Sequence, residues 1–281
     1  MMALTEWLCR WVPASWLPTP WLLRHRAIPD ELWNATLLQY PFLAWRTDDK
    51  LAKLRALSTE FLARKQFAAL DGLALTDAMA TAIAAQACLP VLRWGLGPYE
   101  SFVGVVIRRD QVRAQREVMD DNGVVHRYEE IVAGEAHPDG PIMLSWRDVQ
   151  QAAGAHPGGY NVVVHEFAHA LDMSNGEADG CPPLPSTIRH REWSDTLWRG
   201  FDTHRDALAH GDPTWLDPYA ASEGLTEFFP VVCEAFFVAP HQLMHEHPDV
   251  YELLCRYFDE RPHEFSPNCG DGVATNIKKQ S

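Results

Sequence analysis

Two histidines four residues apart, with a glutamate directly after the first, are the part of this sequence best suited to chemistry: His165-Glu166-Phe167-Ala168-His169. On a helix, residues i and i+4 lie one turn apart on one face, so both imidazoles reach a single ion. Glu166 is one helical step, about 100°, round from His165. There its carboxylate meets a water on the metal rather than the metal, and acts as general base. The bare pattern turns up by chance in roughly four of a hundred chains of this composition, so its surroundings carry the argument. Val164, Phe167, Ala168 and Leu171 give the segment a buried stripe. Asn161 is suited to cap its start and Ser174-Asn175-Gly176 to stop it. Asp172, on the same side as both histidines, is expected to accept a ring N–H and fix a ligand tautomer.

A catalytic zinc needs a third protein ligand and one open position for water. Candidates lie between Tyr219 and Phe237. Glu227 and Glu234 are seven residues apart, close to one face of a helix, among Phe228, Phe229, Val231, Val232, Phe236 and Phe237. A carboxylate in such company calls for a cation or a hydrogen-bonding partner. Pro230 removes the N–H that would bond the Thr226 carbonyl, so this helix either begins near Thr226 or kinks there. His241 and His245, with His247 nearby, offer a second i, i+4 pair. Gln242 stands where the base would be, and Pro240 and Pro248 bracket the segment. Trp193 and Trp198 read as helix core.

The elements that must position these residues are legible in outline. Apolar spacing predicts a helix over 50–67, and Asp77 is suited to cap a second through about residue 88, giving a helical region over 34–92. Residues 101–109, 124–134 and 141–146 read as strands, with 111–121 undecided and 147–153 the start of a helix or turn. Residues 154–160 read as a loop.

The composition sets the class. The chain has 281 residues, 47% hydrophobic and 22% charged, which suits a globular protein with a sizeable core. No apolar run reaches the ~18 residues that span a bilayer. The net charge of −14 argues against phosphate-backbone binding, so no direct nucleic-acid partner is expected. None of the six cysteines forms a CxxC pair, which points to reduced, mostly buried thiols. Residues 1–33 carry five tryptophans (Trp7, Trp11, Trp16, Trp21 and Trp33) and read as an irregular arm. Glu6 and three prolines break the order of a signal peptide, so the expected compartment is the cytoplasm. Residues 266–281 read as a flexible tail.

His165 to Asp172 (HEFAHALD), followed by Tyr219, Glu227-Phe228-Phe229 and Glu234-Ala235-Phe236-Phe237, resembles the Mlc titration factor A family of bacterial zinc peptidases. That family in turn resembles the catalytic domain of anthrax lethal factor. The likeness runs from about Leu37 to Glu264 and takes in QACLPVL, the strand at 101–109 and PGGYNVVVHEFAH. It implies an α+β, zincin-like fold: a helical N-terminal region, a small mixed sheet, the active helix and a helical C-terminal part. The metallopeptidase domain would span 34–265, its sheet and site within 93–265. It implies one Zn2+ held by His165, His169 and Glu227, with Glu166 as general base. Tyr219 would hydrogen-bond the tetrahedral intermediate, and Glu234 would stand behind the ligands. The Tyr219–Glu227 interval is one residue longer than the family pattern, which implies an extra loop residue near Glu223-Gly224. The activity implied is of aminopeptidase type, and the partner implied is the transcriptional repressor Mlc of the glucose phosphotransferase system. A strand near 141–146 would line the cleft at the sheet edge and hold a peptide by strand addition. A reading from another class is a regulator that sequesters a repressor, its zinc structural or vestigial.

Overall fold

The computed structural model describes residues 26–119, 125–132, 134–135, 140–152 and 157–267. Helix α1 (Asp30–Gln39) opens with Asp30 and Glu31 in its first turn, the favoured sign for a helix N-terminus. Trp33 is buried within it, so the boundary expected after residue 33 falls inside a packed helix. The other four tryptophans of the arm lie outside the described residues, as do 268–281 of the expected tail. Helix α2 (Asp48–Arg64) buries Leu54, Leu57 and Phe61. Helix α3 (Asp77–Ala87) is capped by Thr76, whose side chain accepts the Met79 N–H; Asp77 is its first residue and not its cap. The helix expected over 50–67 ends at Arg64, and a segment of another kind leads on to α3. It contains strand β1 (Gln66–Ala69), which exists by pairing with residues far along the chain.

Those partners are β2 (Gly104–Arg108), in parallel register with β1. At Gly104 a Cβ would overlap the Gln66 carbonyl, so only glycine lets the strands close. The chain then runs through an antiparallel pair, β3 (Val112–Met119) and β4 (Val125–Val132), before β5 (Gly134–Glu135) and β6 (Ile142–Ser145). The sheet order is β1-β2-β6-β5, the first three parallel and β5 antiparallel to β6. The strand at 142–145 is therefore interior. The edge expected there belongs to β5, a two-residue strand too short to show a pattern of its own.

After the short helix α4 (Trp146–Gln151), helix α5 (Val162–Asp172) lies between the sheet and helix α7 (Leu225–Val238). Phe167 anchors it among Phe61, Tyr99 and Phe102, with ring centroids 5.2–5.7 Å away. Such edge-to-face aromatic clusters add attraction beyond burial alone. Helix α6 (His190–His210) packs with Trp193, Leu197, Phe201 and His204 inward. Trp198, one step round from Leu197, is 44% exposed, so only Trp193 of that pair is core. A 3-10 turn (Pro218–Ala221) leads into α7. That helix starts at Leu225, so Pro230 falls in its second turn, close to the start foreseen near Thr226. Helices α8 (Pro240–Glu246) and α9 (Pro248–Phe258) close the C-terminal layer. Cys88, Cys181, Cys233 and Cys255 are free thiols, and Cys9 and Cys269 lie outside the described residues. Among the described residues no helix is long and apolar enough to cross a membrane.

Candidate metal centre

The site starts with a cap. The Asn161 side-chain oxygen accepts the Val164 N–H at 3.0 Å, which begins α5 and fixes its phase. Its side-chain N–H donates to Gln86 on α3 at 2.9 Å. With the phase set, the i, i+4 pair faces α7. His165 Nε2 and His169 Nε2 are 3.1 Å apart, and Glu227 Oε2 is 3.2 and 3.4 Å from them. The donor atoms of a tetrahedral set with bonds of about 2.0–2.1 Å lie about 3.3 Å from one another. Glu227 Oε2 is buried, and among the described residues no hydrogen bond is aligned on it. Two imidazole nitrogens and a bare carboxylate oxygen in one small triangle are the donor set of a borderline-soft divalent cation. No other group of His, Cys, Asp or Glu among the described residues is so arranged, the 241–247 histidines included.

Charge explains the order within the cluster. Glu234 Oε1 takes the other ring nitrogen of His165, Nδ1, at 2.7 Å, and its second oxygen accepts the Asn161 backbone N–H. In the neutral ring this leaves His165 Nε2 as the lone-pair end, turned toward the triangle. Burial opposes a charge on His165, but Glu234, Glu227 and Glu166 outweigh it and lift its pKa well above the ordinary imidazole value. Burial likewise works against the Glu227 carboxylate, and the two imidazoles beside it prevail, holding it well below the usual range. Glu166 is buried, and that burial raises its pKa; His165 and His169 pull the other way. Its carboxylate lies against the backbone of Gly134 on β5, where a Cβ would overlap it.

Tyr219 stands on the 3-10 turn, its ring centroid 6.0 Å from that of His165, and is 43% exposed. Gly224, at φ 63°, turns the chain from there into α7. Asp172 requires a correction. Its Oδ2 accepts the Gly180 N–H at 2.8 Å, and its Oδ1 has no partner among the described residues. The ring N–H acceptor foreseen in Asp172 is instead Glu234, because α5 ends with Asp172 turned toward the 180 loop.

A family model for glucose-regulated metallopeptidases of class M90 matches residues 14–259. The chain belongs to this family. It is 35% identical to Mlc titration factor A of Pectobacterium atrosepticum over 236 residues, 83% of this chain and 87% of that protein. It is 33% identical to the protein of that name from Cronobacter sakazakii over 246 residues, 86% and 91% of the two chains. For the Escherichia coli protein the identity is 31% over 245 residues, again 86% and 91%. M90 membership makes this a metallopeptidase-family chain and implies a metal ion. Sequence reasoning did not single out Gln86, Gly134 or His204. A lone Gly or Gln carries no local signal of what packs against it, and the buried position of His204 on α6 shows only in its spacing from Trp193 and Phe201.

Proposed function

We propose that this chain is a zinc peptidase of aminopeptidase type that works in the cytoplasm, with His165, His169 and Glu227 as the metal ligands. The observation that carries the reading is the triangle of Nε2, Nε2 and Oε2 atoms, 3.1–3.4 Å on each side, with the Glu166 carboxylate buried beside it. A zinc ion held there supplies Lewis acidity toward a scissile carbonyl and makes water acidic enough to react near neutral pH. Everything else falls to side chains of this chain. Glu234 keeps the proton of His165 on Nδ1. Glu166 removes the proton from the attacking water and returns it to the leaving amine. Tyr219 donates its O–H to the oxygen that gains charge at the attacked carbon. The outer edge of β5 offers backbone groups to an extended peptide, and Gly134 on that strand lies against the carboxylate of the base.

The names of the relatives favour a second capacity, binding of the repressor Mlc. Such binding needs no proton transfer, so one variant separates the two. Glu166→Gln keeps size and hydrogen bonding and removes the base. It should retain its metal by elemental analysis, hydrolyse amino-acid anilides about 10²–10⁴-fold more slowly, and still capture Mlc. Equal anilide turnover in variant and wild type would overturn the enzyme reading. If neither turns over while both capture Mlc, the chain is a binding regulator.

A further inference from the structure

His204 takes no part in the reaction as described, yet it is 2% exposed on the inner face of α6. Its Nε2 lies 3.1 Å from the carbonyl oxygen of Asp217. A carbonyl only accepts, so Nε2 carries the proton. Burial disfavours a second proton and lowers the pKa, so the ring is the neutral Nε2–H tautomer. The His247 ring lies 6.3 Å away between centroids, with Phe228 behind it, so the donor side of this bond sits among packed rings. A buried donor left without its acceptor is costly.

Asp217 begins the turn that carries Tyr219. Its carbonyl also accepts the Ala220 N–H at 3.0 Å, and its Oδ1 accepts the Tyr219 N–H at 2.9 Å. The Ser222 N–H closes on the Tyr219 carbonyl at 2.9 Å. Of these four bonds, only the one from His204 reaches outside the turn, to a 21-residue helix that belongs to the core. Tyr219 is 43% exposed, and its ring centroid stands 6.0 Å from that of His165.

We propose that His204 is a positioning residue for the peptidase reaction: its Nε2–H holds the Asp217 carbonyl and thereby sets where the Tyr219 hydroxyl stands beside the metal centre. The inference rests on the role given to Tyr219 above. Displacing a reacting group by about 1 Å costs up to about 10²-fold in rate, and loss of this anchor acts on Tyr219 without touching the ligands.

The test uses the metal-loaded full chain and amino-acid anilide hydrolysis. His204→Leu removes the donor, and His204→Gln keeps an N–H at similar reach. His204→Leu should keep its metal, hold KM within about twofold and lower kcat by about tenfold or more; His204→Gln should recover most of the rate. Combined with Tyr219→Phe, His204→Leu should add no further loss, because both act through one hydroxyl. Should His204→Leu not fold, His204→Asn, whose amide is too short to reach the carbonyl, takes its place. Unchanged kcat in the donor-less variant, or losses that multiply in the double variant, overturn the proposal. If Tyr219→Phe alone turns over like wild type, the role of Tyr219 has failed and His204 positions nothing. If Tyr219→Phe is slow and the donor-less variant is not, the link to His204 alone has failed.

Discussion

Glu227 and Glu234 are the same residue type on the same helix, and both are buried, yet they face opposite nitrogens of one ring. Glu227 Oε2 lies 3.2 Å from His165 Nε2, and Glu234 Oε1 lies 2.7 Å from His165 Nδ1. On the proposed assignment the first is on the metal side and the second behind it. Removing them should have unequal effects. Glu227→Ala deletes one of three donors and should abolish stable metal binding. Glu234→Ala leaves the donors and frees the ring, a loss of about 10–100-fold in metal affinity. Competition with a chromogenic chelator measures both. Equal losses, or a larger one for Glu234→Ala, would reverse the two assignments. At this scale the sequence showed that both glutamates needed partners, because carboxylates among phenylalanines are costly to bury. It could not show which faced the metal. That depends on how α7 is rotated against α5, and Pro230 left its start open.

Elements differ in how much of their role is local. Helix α5 was readable because its determinants are its own: the Asn161 cap, the apolar stripe and the stop at Gly176. The sheet edge was not. β5 has two residues and no alternation, and its glycine runs on from the strand expected over 124–134, so nothing local marks a separate strand. Its meaning comes from its register with Met143 and Leu144 and from the carboxylate that lies on Gly134. The same holds for β1, which is a strand only because Gly104 lets it close on β2. The contact at Gly134 makes a test at the level of the strand. A methyl group there meets the end of a flexible side chain and not the main chain of a neighbour, so the fold should survive and Glu166 should move. Gly134→Ala should therefore keep its metal and circular dichroism spectrum and lose about 10²-fold in kcat, the cost of a base displaced by about 1 Å. A fully active Gly134→Ala would mean that β5 does not set the place of the base.

Across the whole molecule, the C-terminal helices are held to α6 through buried imidazoles as well as apolar rings. His247, between α8 and α9, is 8% exposed. Its ring faces His204 from α6 and Phe228 from α7, and its backbone N–H bonds the Leu243 carbonyl. Burial, reinforced by the neighbouring His204, pushes its pKa down to about 4. In the unfolded chain the same ring titrates near about 6.5. Between these values the unfolded state binds more protons than the folded one, so stability rises with pH across the window. Read downward, stability is lost as the pH falls below about 6.5, and the loss levels off below about 4. From pH 7 to pH 5 this one group should remove on the order of 2 kcal/mol. His204, whose pKa burial also lowers, acts in the same direction. The measurement is urea unfolding at several pH values for wild type and His247→Leu. Other groups titrate in the same range, so the difference between the two slopes is what counts. The variant should be flatter by about the amount given. Parallel slopes would mean that the His247 ring is not held neutral between α6 and α7, and that the C-terminal layer owes its acid sensitivity to other groups.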